Sequence, residues 1–409
     1  MDSKNVIAAI ALSSAVIVLY SLFFVPEQST SKQNLAEKNK IEQNSDTPSL
    51  DEKESLIQIS REDALKENER LIFENNNIIG SISLKGASID DLTFKNYKIN
   101  LNDEKKVTLL GPRNISEGYL IESGFVTTDK NIDIPDSDTV WSIIGNNKLT
   151  DQSPIKLSWT NDQGITFEKQ ISLDNQYLFT IKQIVKNNTN KKYDFYSYGQ
   201  IIRNQIPDIT DFYILHEGLI ATLDDELIEE DYDDIQEKKF TKVAQKGWLG
   251  IGDKYWITSL IPPRDKEFKT TFDYKKKFRA NFIATEPLTL NENSSIEEEL
   301  QIIVAAKRVD VIDGYAEKLK IDKFDLVIDW GFLYFITKPL FFGIDYFFKL
   351  FGNYGLAIIA ITICIRLAFF PLANFSFRSM AKMKALQPEM VRLKELHKDD
   401  KMKLQQEMM

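Results

Sequence analysis

Cysteine is almost missing. The single one, Cys364, cannot close an intramolecular disulfide, so any domain in this 409-residue chain is held by its core alone. Histidine is nearly as scarce, at two residues, and the sequence contains no Cys/His cluster of metal-ligand spacing and no nucleophile motif. Aromatic side chains are absent from residues 25–72, where Gln, Asn, Ser, Glu and Lys dominate. Such a stretch buries too little apolar surface to offset its ordering entropy and reads as a solvated tether. Lys and Arg are absent between Glu217 and Glu237, which hold ten Asp or Glu. Acids are absent around Arg366, and that gap matters most.

Arg366 lies inside residues 354–373, YGLAIIAITICIRLAFFPLA, a run of twenty. About 20 residues of helix cross the ~30 Å hydrocarbon core. A lone charge at that depth costs roughly 2.5–3.5 kcal/mol on insertion scales, so it needs a reason. Two readings fit. Arg366 faces a water-filled cavity and handles a substrate, or it snorkels past Pro371 toward the basic tail. Thr362, one helical turn earlier, shares its face. It either lines the same cavity or bonds back to the helix carbonyl at i−4. A second uncharged run, residues 6–25, is longer than a signal h-region and lacks an A-x-A site, so it reads as an uncleaved anchor. Residues 374–409 carry eight Lys or Arg against five acids, which places that flank in the cytoplasm. Two crossings then put the N-terminus there as well.

Between these runs, short alternating segments and turn signals predict a large antiparallel β-sandwich. IKLSWT, the turn NDQG and ITF form a hairpin candidate over residues 155–167, and another strand covers 178–185. His216 beside Glu217 reads as a lone surface histidine rather than an acid–base pair. The acidic run 224–237 lacks calcium-loop spacing and reads as a solvated loop. GWLGIG (247–252) is not the order of a nucleotide-binding turn and reads as a strand bend. No cofactor site emerges.

Ten of the 22 residues from 330 to 351 are aromatic. Lys338, Asp345 and Lys349 share one helical face, and Pro339 permits a bend. This describes an amphipathic helix at the membrane surface, opened by Trp330. From residue 376 a charged helix carries an apolar seam at Met383, Leu386, Met390, Leu393 and Leu396, with Pro388 as a possible kink and 398–401 as a turn.

The order of elements, and the strings GSISLKGASIDDL, KGWLGIGDKYWITSLIP, DWGFLYFITKPLF, NYGLAIIAITICIRLAFFPL, MAKMKALQPEMVRLKE and QQEMM, resemble the YidC family of bacterial membrane-protein insertases. The resemblance implies a membrane protein of this organisation: an N-terminal transmembrane anchor (1–26), a disordered periplasmic tether (27–70) and a periplasmic antiparallel β-supersandwich (71–310). Connecting and interfacial amphipathic helices (311–352) follow, then a transmembrane helix with Arg366 (353–373) and the start of a cytoplasmic coiled-coil hairpin (374–409). The implied activity is not enzymatic. Arg366 and Thr362 would line a hydrophilic groove that draws in a client's polar tail, while Trp330, Lys338, Pro339 and Asp345 form the interfacial helix. The implied partners are nascent membrane proteins, the Sec translocon, the ribosome and signal recognition particle system, and the lipid bilayer, with no direct nucleic-acid contact. The implied location is the bacterial inner membrane. The family continues through three further spans, so the chain ending at Met409 is expected to be a fragment. A membrane-anchored periplasmic carbohydrate-binding or epimerase-like protein, and a structural envelope protein, are the alternatives.

Overall fold

The computed structural model describes residues 59–100, 102, 104–207, 216–331 and 333–396. The expected anchor at 1–26, most of the tether and the turn at 398–401 lie outside these residues. The chain divides into two compact units, one ending at Asp329 and one beginning at Trp330.

The first unit packs a nine-stranded sheet on an eleven-stranded one. Strand chemistry explains the layering. In Leu178–Asn187 the burial alternates with period two, so Phe179, Ile181 and Val185 enter the core while Thr180, Lys182 and Ile184 turn outward. This strand pairs antiparallel with Ser295–Ala306 on one side and Ile165–Leu173 on the other. The expected hairpin forms in register: Ile155–Thr160 pairs with Ile165–Leu173, closing on Thr160 opposite Thr166. Asn161 holds the turn, its Oδ1 accepting from the main-chain N–H of Gln163 and Ile165. The eleven-stranded sheet is likewise antiparallel, except where Arg70–Glu74 meets the two-residue strand Lys148–Leu149 in parallel.

Four details depart from the sequence reading. The acidic run is no loop. Asp224 and Asp225, both at positive φ (52° and 68°), make a tight turn into the edge strand Glu226–Asp231 and a helical turn, Tyr232–Glu237. Ile228, Tyr232 and Ile235 are buried and fasten this segment to the core. GWLGIG is an unbroken strand laddered along its whole length to Gly218–Leu223, not a bend. Its glycines admit close neighbours, since a Cβ on Gly250 would lie 2.3 Å from the Thr258 oxygen. Residues 59–70, expected in the tether, are docked. Arg61 pairs with Asp91, and Ala64 is buried.

Finally, the compact unit runs past 310. Helix α1 (Val309–Lys318) buries Val311, Ile312 and Tyr315, and a 3-10 turn at Phe324–Val327 buries its two end residues. Tyr315 anchors α1, its hydroxyl donating to Asp174 Oδ2 at 2.9 Å and accepting from the Tyr177 N–H at 2.7 Å.

The second unit is a helical hairpin. Helix α2 (Tyr334–Phe351) ends at Gly352, whose left-handed φ of 65° lets its N–H reach the Phe348 carbonyl at 2.7 Å. Asn353 then caps helix α3 (Tyr354–Leu396), its Oδ1 accepting from Gly355 and Leu356. α3 is one helix of 43 residues containing both Pro371 and Pro388. The expected span and the charged arm are therefore continuous.

Candidate functional site

α3 is the one helix among the described residues long and apolar enough to cross a membrane. The face it turns to α2 is set by small and branched residues at i, i+4 and i+8: Ala357 is fully buried, and Ile361 and Ile365 are half-buried. Gly343 on α2 lies closest to this face, where a Cβ would stand 2.8 Å from the flexible end of Ile361, its Cδ1. At the turn, Phe348 stacks on Tyr354 with ring centroids 3.9 Å apart.

Thr362 and Arg366 each follow one of these packed positions by one residue, which rotates them about 100° away from α2. Both are exposed. Between Asp345 and Glu389 the sequence has no Asp or Glu, and Arg366 makes no ion pair among the described residues. The Thr362 hydroxyl donates to the Ile358 carbonyl at 2.7 Å, so the i−4 back-bond is formed. That bond uses the hydroxyl proton and leaves the oxygen as an acceptor on the arginine face. The structure thus brings Arg366 and Thr362 to one face, with the threonine oriented by its own helix.

The remaining candidate residues gather on α2. Trp330 precedes the helix rather than opening it; its carbonyl accepts from Thr337 Oγ1 at 2.7 Å. The ring packs edge-on against Phe341 at 5.5 Å and lies under Lys338, whose Nζ is 5.7 Å from the ring centre. Asp345 pairs with Lys349 at 2.7 Å, one turn apart. Pro339 sits within the helix. α2 has no buried residue, and Tyr346 and Leu350 are 65% and 64% exposed. The sequence reading missed the Gly343–Ile361 contact and the Gly352–Asn353 reversal. The Gly-Asn pair between two helical patterns is the signal that marks the latter.

In the sandwich, His216 is not a free surface group. Its ring is tucked against the strand, with Nδ1 3.1 Å from Asp231 Oδ1 and Nε2 3.2 Å from the Leu219 carbonyl. Its sequence neighbour Glu217 instead accepts from the main-chain N–H of Lys254 at 2.8 Å, so the two do not form an acid–base pair.

Comparison with known proteins covers both units. A family profile described as "YidC periplasmic domain" matches residues 70–342, and one described as "60Kd inner membrane protein" matches 346–409. The chain is 71% identical over 409 residues to a protein of Pelagibacter ubique named "Membrane protein insertase YidC", covering all of this chain and 73% of that protein. A protein of Rickettsia prowazekii with the same name is 39% identical over 415 residues, covering 99% of this chain and 73% of its own length. One from Brucella suis is 39% identical over 358 residues, covering 84% and 58%. Among solved structures, a galactose mutarotase related enzyme from Lactobacillus acidophilus matches at 11% identity and a TM-score of 0.42, covering 58% of this chain and 97% of that one. A likeness at that level carries no argument about activity.

Proposed function

The chain belongs to the YidC family of membrane protein insertases, and on that premise we propose that the Arg366–Thr362 face of α3 lines a hydrophilic groove through which client segments enter the bilayer. Its work is insertion of membrane proteins, and it is not an enzyme. The observation that carries the groove is the rotation of Arg366 away from the packed face of its own helix, with no carboxylate on the span to neutralise it. A charge in that position is tolerated where water or a client's acidic tail meets it.

The physics bounds what the arginine supplies. At about 4 Å and an effective dielectric near 20, an Arg–carboxylate attraction is about 4 kcal/mol before desolvation removes much of it. The client's apolar helix supplies the net drive, at about 25 cal/mol per Å² buried. Arg366 therefore selects and shortens the dehydrated path of the tail, while burial pulls the segment in. In this reading α2 lies at the membrane surface, held by its exposed aromatics and the Trp330–Lys338 contact. The sandwich stands on the periplasmic side of a multi-pass inner-membrane protein. The basic flank of α3 supports a cytoplasmic end that meets the ribosome and signal recognition particle system, with the Sec translocon as a lateral partner.

The test compares Arg366→Lys and Arg366→Ala, at equal protein levels, on clients that differ only in tail charge. Lysine keeps the charge without the planar fork, so it retains most insertion. Alanine lowers insertion of acidic-tailed clients more than neutral-tailed ones. Equal inserted fractions for wild type and Arg366→Ala across the set would sink the groove at this residue.

A further inference from the structure

The hairpin turn between strands Gly247–Gly252 and Trp256–Ile261 carries an aromatic tip. Asp253 N–H closes it on the Trp256 carbonyl at 2.9 Å. At its tip Tyr255 is 60% exposed, with the Lys254 ammonium 5.1 Å from its ring centre. Behind it Trp256 is half-buried, stacked on Phe94 at 4.5 Å and meeting Tyr97 edge-on at 5.1 Å. An exposed tyrosine on a rigid aromatic base, with a cation beside it, is the amphipathic chemistry found at the level of lipid headgroups.

The turn is also next to the chain's exit from the sandwich. The Tyr255 carbonyl accepts from the main-chain N–H of Lys307 at 2.8 Å. The Lys307 ammonium lies in the field of Asp253, Glu217 and Asp329, and Asp329 is the last residue of the unit. Four residues separate Asp329 from Tyr334, where α2 begins.

We propose that the Lys254–Trp256 turn rests on the phospholipid surface, with Tyr255 in the headgroup layer, so that this end of the sandwich faces the bilayer. The inference rests on the interfacial reading of α2. The nearby charges largely cancel: Asp253 is taken by Arg203 at 2.6 Å, and Arg308 by Asp310 at 2.6 Å. The surface it fits is therefore zwitterionic, and contact should not need anionic lipid.

The experiment uses the full chain in vesicles of phosphatidylethanolamine and phosphatidylcholine, with Cys364→Ser as background. Single spin labels are placed by Tyr255→Cys, by Ile144→Cys on an exposed strand of the same domain, and by Tyr346→Cys on α2. The ratio of collisions with oxygen to collisions with a water-soluble nickel chelate reports depth. The proposal expects a ratio at 255 several-fold above that at 144, unchanged when anionic lipid is added. A ratio at 255 equal to that at 144, with 346 lipid-exposed, overturns this proposal alone. A wet label at 346 as well overturns the interfacial reading of α2 with it. Shielding at 255 from both reagents means a protein contact and also overturns it.

Discussion

Lys169 Nζ, carried by the nine-stranded sheet, donates to the main-chain oxygen of Ser123 on the eleven-stranded sheet at 2.7 Å. The ammonium is buried against the Trp141 ring, 5.1 Å from its centre, and burial pushes its pKa down from 10.5 to about 8, with Glu122 opposing. A base depressed in the folded state binds fewer protons than in the unfolded chain between these values. Stability should therefore rise as pH goes from about 8 toward 10.5, and the full penalty applies below 8. Lys169→Met should flatten that rise, removing a pH dependence of about 2–4 kcal/mol in denaturant titrations followed by tryptophan fluorescence. An unchanged pH profile in the variant would assign the dependence elsewhere.

A second prediction concerns the cross-strand pair Asp273–Arg279. Arg279 Nε and Nη2 reach the two carboxylate oxygens at 2.7 Å each, and both residues are buried. Removing one partner strands a charge out of water. Arg279→Ala should cost about 3–5 kcal/mol, read as a fall in midpoint on denaturation. Adding Asp273→Ala should recover part of the loss. A double variant as unstable as the sum of the singles would show that the two do not act as a pair.

The helical hairpin gives a graded test. At Gly343 the nearest obstacle is the flexible end of Ile361, so Gly343→Ala should be nearly neutral for insertion. Gly343→Leu cannot be accommodated by a rotamer change and should pry α2 from α3, lowering the inserted fraction at equal protein levels. Wild-type insertion by the leucine variant would mean the close approach is dispensable.

The charge bias of residues 374–409, which begins in the C-terminal half of α3, predicts topology. A reporter active only outside the cytoplasm, fused after Met409, should be silent, whereas one fused in the 224–225 turn should be active. Activity at the C-terminal fusion would invert the arrangement.

Much of this architecture was legible in the residues. Thr160 and Thr166 close the hairpin as the NDQG turn requires, and α3 begins where the apolar run begins. What failed was reading polar composition as solvation. The acidic run folds because Ile228, Tyr232 and Ile235 insert between its charges, too few to show as a pattern. Residues 59–70 dock through Arg61–Asp91, a contact 30 positions apart that no local window reveals. Lys169 was readable but unread, because ITFEKQISL alternates and the lysine falls on the inward set with Ile165, Phe167 and Ile171. At the site, the sequence left Thr362 open between groove and back-bond, and the helix geometry satisfies the second without excluding the first.

The unbroken course of α3 has a mechanical consequence. Its 43 residues span about 65 Å, roughly twice the hydrocarbon thickness. With the bilayer as fulcrum, force applied at the far end is delivered as tilt at Arg366, without any signal passing through side chains. Two soft joints lie on that path, Pro388 and Pro371, and neither has an N–H to return to the helix carbonyl one turn earlier. A client pressing on that far end therefore has leverage on the arginine, and the compliance of the two prolines sets how much of the push arrives.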